Sequence, residues 1–228
     1  MNDDNKEDTP KGSYASPPCL AHEIDPAYFD PLAVDPVQWR DVTRWRKATR
    51  AQLLADRKSL GVARHGAISS MLAAQVEELL RDRFDGAAGM VLSAFWPIKG
   101  EPDLRSLMTR LHDAGVVVAM PLVEVKAAPL VFRRWTPETK MIRGDWNIPV
   151  PPPDAMQLLP DIALAPLVGW DNERYRLGYG GGYFDRTLAA LKQQPFKIGV
   201  GYQNAKLPTI YPQPHDIAMD VILAAGND

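Results

Sequence analysis

The chain has 228 residues, of which 46% are apolar and 24% charged, and its formal net charge is −2. This composition is typical of a globular protein with one large domain or two small ones, and it excludes a fibrous or fully disordered chain. The balanced charge predicts no nucleic-acid or membrane partner, and the single cysteine, Cys19, excludes an internal disulfide.

The first 36 residues differ in composition from the rest of the chain. They hold six of the 21 prolines and two lysines against eight acidic residues. We expect residues 1–36 to be a poorly ordered extension and residues 37–228 to be one domain. Because the start is acidic rather than basic and apolar, it does not resemble a signal peptide, and we expect a cytoplasmic protein.

Two helices are predicted next. The first starts at Asp35-Pro36 and shows apolar or aromatic residues at helical spacing, and the second covers residues 65–84. Residues 40–64 carry eight basic side chains against two acidic ones. This basic run has two interpretations, a solvated helix face or a site for an anion.

The remaining pattern alternates short apolar runs with helical stripes. Runs of strand length lie at residues 90–96, 116–123, 130–135, 161–168, 196–202 and 219–223, and a helical stripe lies at 104–111. No run reaches the roughly 20 residues of a membrane-spanning helix. Because the strands are apolar on both faces, we predict an α/β fold with three layers: an open, mostly parallel sheet with helices on both faces.

A glycine-rich loop follows the strand at 161–168. In RLGYGGGYFDR, Gly178, Gly180, Gly181 and Gly182 precede an amphipathic helix. Such a loop can turn several N–H groups toward a phosphate, although it could also be a flexible surface turn. It is not a dinucleotide-binding or Walker A loop, because Tyr183 occupies the sixth position and no G-K-[ST] follows.

Two charged residues flank the loop. Arg176 could offer a planar donor fork to phosphate, and Asp185 could hold a magnesium ion against it. A surface ion pair is the alternative interpretation for each. Arg46 and Arg50 are four residues apart on the first helix, so both can reach one polyphosphate.

The glycine segment resembles the signature of the 5-formyltetrahydrofolate cyclo-ligase family. Further segments occur in matching order: RKATR at 46–50, FWPIKGEPD at 95–103, AMPLV at 119–123 and PHDIAMD at 214–220. The resemblance extends from about residue 39 to residue 221. It implies ATP-dependent cyclisation of 5-formyltetrahydrofolate to 5,10-methenyltetrahydrofolate, with release of ADP and phosphate, by a monomer or weak homo-oligomer.

The resemblance also implies roles for individual residues. Arg176 and Tyr183 would be catalytic, Trp96 and Glu101 would bind the folate, and Asp185 and Asp216 would bind Mg²⁺. The residues implied for ATP binding are Arg46, Lys47, Arg50, Arg176, Leu177, Gly178, Tyr179, Gly180, Gly181, Gly182, Tyr183 and Phe184.

Several positions on the substrate side depart from the family pattern. The residues concerned are Arg174 in place of glycine, Leu104 in place of threonine, Val150-Pro151 in place of glutamate-proline, Ala205 in place of glutamine and Gln213 in place of glutamate. These departures leave two alternatives open. One is an ATP-dependent kinase or ligase of the same fold with a non-folate substrate, and the other is a non-catalytic protein that binds a phosphate ligand.

Overall fold

The computed structural model describes residues 36–226, so the predicted N-terminal extension lies outside the described residues. Among these residues, the α-helices are α1 (Pro36–Ser59), α2 (Val62–Phe84), α3 (Arg105–Asp113) and α4 (Tyr183–Ala190). The strands are β1 (Val91–Ser93), β2 (Val117–Leu122), β3 (Val131–Arg134), β4 (Ile142–Arg143), β5 (Pro149–Val150), β6 (Gln157–Leu158), β7 (Ile162–Pro166), β8 (Gly169–Trp170), β9 (Arg176–Leu177), β10 (Phe196–Tyr202) and β11 (Val221–Ala225). Within this range, no helix combines the length and the apolar character that crossing a bilayer requires.

Seven strands form the central sheet in the order β11-β10-β7-β1-β2-β3-β6. The five strands from β11 to β2 are parallel, whereas β3 runs antiparallel to β2 and β6 antiparallel to β3. The predicted open, mostly parallel sheet is therefore confirmed. Two short ribbons, β4 with β5 and β8 with β9, stand apart from it.

The central strand β7 shows why the fold has three layers. Ile162 and Leu164 belong to a core cluster that also contains apolar residues of α2 and α3. Ala163 and Ala165, which alternate with them along the strand, belong to a second cluster that also contains Leu188 of α4. Because successive side chains of a strand point to opposite faces, helices cover both faces of the sheet, as predicted.

Some element boundaries differ from those predicted. The strand expected at residues 90–96 ends at Ser93, and Pro97, which has no N–H to donate, lies just beyond. Helix α2 begins at Val62 rather than at residue 65, and the last strand extends to Ala225. The two-residue strands were not predicted, because a periodic pattern needs more residues to be visible.

The parallel strands direct the chain segments that matter for function toward one edge of the sheet. The carboxyl ends of β1, β7 and β10 lead into the segments that begin at residues 94, 167 and 203. In open α/β sheets, ligands bind outside this edge. Helix α1 reaches the same region, because Arg57 donates a hydrogen bond to the carbonyl of Leu167, directly after β7.

Candidate active site

The glycine loop, residues 178–182, connects strand β9 to helix α4 at this edge. Gly180 and Gly182 have φ angles of 103° and 63°, a left-handed backbone that favours glycine. At Gly180 a Cβ atom would lie 3.4 Å from Cζ of Arg50. The glycines therefore allow the turn, and the guanidinium of Arg50 lies beside Gly180.

A buried carboxylate shapes the approach to the loop. Asp171 accepts hydrogen bonds from the backbone N–H groups of Glu173 and Tyr175, each at 3.1 Å, and from that of Ile210 at 3.0 Å. These bonds fix the turn between β8 and β9. The turn includes Arg174, whose φ of 67° lies in the left-handed region that favours glycine.

Helix α1 presents three arginines to the site: Arg46, Arg50 and Arg57. Arg46 and Arg57 are buried, and Nε of Arg50 donates to the carbonyl of Gly178 at 2.7 Å. Lys47, also expected at the ATP site, is exposed, as are the other basic residues of the run from residue 40 to residue 64. The exposed basic residues agree with a solvated face, and an anion site stays a prediction for the arginines that lie against the loop.

Arg46 and Asp216 form a buried ion pair. The two Nη atoms of Arg46 donate to the two carboxylate oxygens of Asp216, and its Nε and Nη2 donate to the carbonyls of Ile210 and Tyr211 at 3.0 and 2.8 Å. The backbone N–H of Gln213 also donates to Asp216 at 2.7 Å. Both side chains are thus held firmly at the site, by each other and by the backbone.

A second buried ion pair joins Arg176 and Asp185. Nη2 of Arg176 donates to Oδ2 of Asp185 at 2.6 Å, and the guanidinium lies 4.8 Å from the ring of Phe184. The backbone N–H of Ile217 donates to the other oxygen of Asp185 at 3.3 Å. Among the described residues, the buried Nε of Arg176 finds no acceptor. Arg176 therefore keeps one donor that an anionic ligand could satisfy.

The two carboxylates influence each other electrostatically. Burial raises the pKa of Asp185, Arg176 opposes this effect, and the negative charge of Asp216 adds to it. No group of three or more metal-ligating side chains occurs among residues 36–226. Mg²⁺, however, usually takes one or two carboxylates and completes its shell with phosphates and water. Asp185 and Asp216 fit that donor set.

The carboxylate of Glu101 lies on the other side of the loop and is only 2% exposed. It accepts hydrogen bonds from the Ile98 N–H and from the hydroxyl of Tyr179, both at 2.9 Å. Burial raises its pKa to about 7. Tyr179 belongs to the glycine loop and accepts a hydrogen bond from Nη1 of Arg57 at 3.3 Å. The loop therefore contacts the expected nucleotide residues and the expected substrate residue.

The other expected site residues have mixed surroundings. Trp96 is half-buried against the core, and the guanidinium of Arg105 lies 5.2 Å from its ring. The hydroxyl of Tyr183 accepts a hydrogen bond from the Ala127 N–H at 3.2 Å, and its ring lies 5.5 Å from the ring of Trp146. The remaining two, Leu177 and Phe184, have buried side chains, so only their backbone could face a ligand.

Sequence reasoning missed Arg57 and Asp171. Arg57 lies seven residues after Arg50, a spacing that returns to the same face of a helix, so its position could have been inferred. Asp171 carries no comparable signal, because its partners are backbone N–H groups rather than side chains.

The model of the 5-formyltetrahydrofolate cyclo-ligase family matches residues 42–225 of this chain. The chain belongs to that family. This confirms the resemblance drawn from the glycine segment and its companions. Among curated relatives, the 5-formyltetrahydrofolate cyclo-ligase of Mycolicibacterium smegmatis is 30% identical over 156 residues, which cover 64% of this chain and 80% of the relative. The enzyme of the same name from Escherichia coli K12 is 33% identical over 102 residues, or 42% of this chain and 56% of the relative.

Solved structures support the same fold. The 5,10-methenyltetrahydrofolate synthetase of Aquifex aeolicus matches with a TM-score of 0.65 and 26% identity, and the match covers 78% of this chain and 89% of that chain. The synthetase of Mycoplasma pneumoniae matches with a TM-score of 0.63 over 78% and 96% of the two chains. Its identity is 23%, so this second likeness concerns the fold alone.

Proposed function

We propose that this member of the cyclo-ligase family uses ATP to convert 5-formyltetrahydrofolate to 5,10-methenyltetrahydrofolate, with release of ADP and phosphate. One observation carries the proposal beyond family membership. The glycine loop contacts Arg50 through the Gly178 carbonyl and Glu101 through the Tyr179 hydroxyl, so residues expected for two different substrates meet on one loop. A reaction between ATP and a folate needs that arrangement.

On the nucleotide side, the loop N–H groups, Arg50 and Arg176 are proposed to bind the phosphates of ATP. The Nε donor that Arg176 leaves without an acceptor supports this role. Arg46 would act mainly by holding Asp216, because its described hydrogen bonds go to that carboxylate and to backbone carbonyls. Lys47 would contribute long-range charge, since it is exposed.

Asp185 and Asp216 are proposed to hold Mg²⁺ together with the phosphates of ATP. When bound, the ion would neutralise phosphate charge. The two carboxylates are each paired with an arginine, whose positive charge offsets part of the cost of burying them. A cation between the carboxylates and the phosphates would also relieve their repulsion.

In the proposed reaction, the terminal phosphoryl group of ATP moves to the formyl oxygen of the folate, and ADP leaves. The neighbouring N10 amine then attacks the formyl carbon and loses its proton, and the C–O bond breaks to release phosphate. The chain must position two substrates and surround the moving phosphoryl group with donors, which is the role of Arg176 and the loop. Tyr183, at the start of α4, is proposed to be catalytic together with Arg176. Glu101 and Trp96 are proposed to bind the folate.

The test is the ATP-dependent appearance of methenyltetrahydrofolate absorbance from 5-formyltetrahydrofolate. The sharpest variant is Arg176→Lys, which retains a positive charge beside Asp185 but removes the planar fork. We expect its kcat to fall by about a hundredfold, a typical loss for a positioned donor. Arg44→Lys is the matched control, because the Arg44 side chain is 82% exposed.

The departures from the family pattern on the substrate side support one alternative function, that of an ATP-dependent kinase or ligase with a non-folate substrate. ATP turnover with another metabolite, in the absence of methenyltetrahydrofolate formation, would favour that rival. Binding of ATP without any magnesium-dependent turnover would instead indicate a non-catalytic phosphate-binding protein. The reaction is proposed for the cytoplasm.

A further inference from the structure

A chain of contacts links helix α1 to Glu101 through the glycine loop. Nη1 of Arg57 donates to the hydroxyl of Tyr179 at 3.3 Å, and that hydroxyl donates to Oε1 of Glu101 at 2.9 Å. The hydroxyl of Tyr179 therefore uses its acceptor and its donor at once. Its orientation is set by a cation on one side and a carboxylate on the other.

Arg57 is well placed to act as an anchor. The side chain is 5% exposed, its second guanidinium nitrogen donates to the carbonyl of Leu167 after strand β7, and its guanidinium lies 5.2 Å from the ring of Tyr202. The expected nucleotide residues Arg46 and Arg50 precede Arg57 on the same helix. Arg57 thus connects the helix to the edge of the sheet as well as to the loop.

The turn that carries Glu101 also packs on Arg57. Gly100 has a φ of 75°, and a Cβ atom there would lie 3.2 Å from Cγ of Arg57. The hydroxyl of Tyr202 donates to the backbone carbonyl of Gly100 at 2.7 Å. The Nε2 atom of His65, on α2, donates to the backbone carbonyl of Glu101 at 2.9 Å. Hydrogen bonds from Tyr202 and His65 therefore hold the turn, and contacts with Arg57 and Tyr179 hold it as well.

We infer that Arg57 is a positioning residue that acts through the Tyr179 hydroxyl to hold the Glu101 carboxylate in place for the folate. The inference rests on the proposed function and extends it to a residue outside the expected site. It assigns to Tyr179 a role on the substrate side, in addition to its place in the phosphate-binding loop.

Electrostatics agree with this geometry. The Tyr179 hydrogen bond and the charge of Arg57 both lower the pKa of Glu101, which burial has raised. Lys99 lowers it as well, by its charge. The titratable or charged groups around Glu101 are Arg57 on α1, His65 on α2, Lys99 in its own turn, Tyr179 in the loop and Tyr202 on β10. Removal of Arg57 or of the hydroxyl should therefore make the carboxylate harder to ionise.

The test compares Tyr179→Phe, Arg57→Gln and the double variant. Each single change should raise KM for 5-formyltetrahydrofolate about tenfold and shift the acid limb of the pH profile upward, with KM for ATP little altered. Because Arg57 acts through the hydroxyl, the double variant should be no worse than the more impaired single variant. Arg57→Lys, which restores the charge, should recover part of the loss.

A second measurement does not depend on activity. In a carbon-13 NMR titration, with the Glu101 carboxyl signal assigned by its absence in Glu101→Gln, the Glu101 pKa should rise in Tyr179→Phe and in Arg57→Gln. Tyr211→Phe and Arg44→Gln are the matched controls, because Tyr211 is 48% and the Arg44 side chain 82% exposed, and they should leave the Glu101 pKa unchanged.

The outcomes separate the inference from the proposed function. A wild-type chain that forms no methenyltetrahydrofolate would overturn the function, while the NMR titration would still report on the contact. Variants that lose stability but keep the Glu101 pKa and the KM for the folate would show a merely structural role for Arg57 and overturn the inference. Strictly additive losses in the double variant would do the same.

Discussion

Replacement of Glu101 by glutamine offers a quantitative test of the buried carboxylate. Glutamine keeps the shape of the side chain and can accept a hydrogen bond from the Ile98 N–H or the Tyr179 hydroxyl, but it does not titrate. The comparison of wild type with Glu101→Gln at several pH values therefore isolates the ionisation of this one group.

The direction follows from linkage. Burial raises the pKa of Glu101 from its ordinary value of 4.5 to about 7, so the folded protein holds this proton more tightly than the unfolded chain. The resulting stability is fully present below pH 4.5 and is lost as the pH rises through about 7. Between pH 5 and pH 8 the unfolding free energy of wild type, relative to Glu101→Gln, should fall by about 2.5 kcal/mol.

Urea unfolding at fixed temperature, repeated at intervals from pH 5 to pH 8, measures this difference. Glu78→Gln serves as the control, because it makes the same chemical change at an exposed position on α2. A flat difference for Glu101→Gln would refute the reasoning, since it would mean that the Glu101 pKa is the same in the folded and unfolded states. A difference that grows with pH would mean that the pKa is lowered rather than raised.

Three further substitutions probe the rest of the site. Arg46→Ala leaves the buried Asp216 carboxylate without its cation and should cost about 3 to 5 kcal/mol in urea unfolding; a loss below about 1 kcal/mol would contradict the burial of this pair. Arg174→Gly relieves a left-handed backbone and should stabilise the fold by up to about 1 kcal/mol, measured by calorimetry, whereas destabilisation would show that Arg174 makes contacts worth more than the strain. Asp185→Asn should shift the magnesium dependence of turnover to several-fold higher concentrations, and a titration that superimposes on wild type would argue for a purely structural Asp185.

The fold was predictable from the sequence because its signals are local. Strand β7 is a short apolar run, α2 shows a regular apolar stripe, and the glycine loop with its following helix stands in one continuous segment. Each of these patterns depends on neighbours a few residues away, which the sequence displays directly. The alternation of apolar residues in β7 between two core clusters then follows from strand geometry alone.

The partners of the charged residues were not predictable in the same way. Arg46 was expected to bind ATP and Asp216 to bind magnesium, and the structure pairs them with each other across 170 positions of sequence. Tyr179 and Arg57, which meet across 122 positions, gave no sign of their contact. Which charges are paired depends on desolvation in the folded chain, and a sequence pattern contains no measure of that energy.

The Arg46–Asp216 pair also constrains the order in which the protein can be completed during synthesis. Helix α1 leaves the ribosome before any strand of the sheet, yet the carboxylate that neutralises Arg46 is made only after the whole sheet except its edge strand β11. Until then, Arg46 of the nascent chain has no Asp216 carboxylate with which to pair. This pair can therefore form only after Asp216 has been synthesised, and any product that stops before Asp216 leaves Arg46 without its carboxylate.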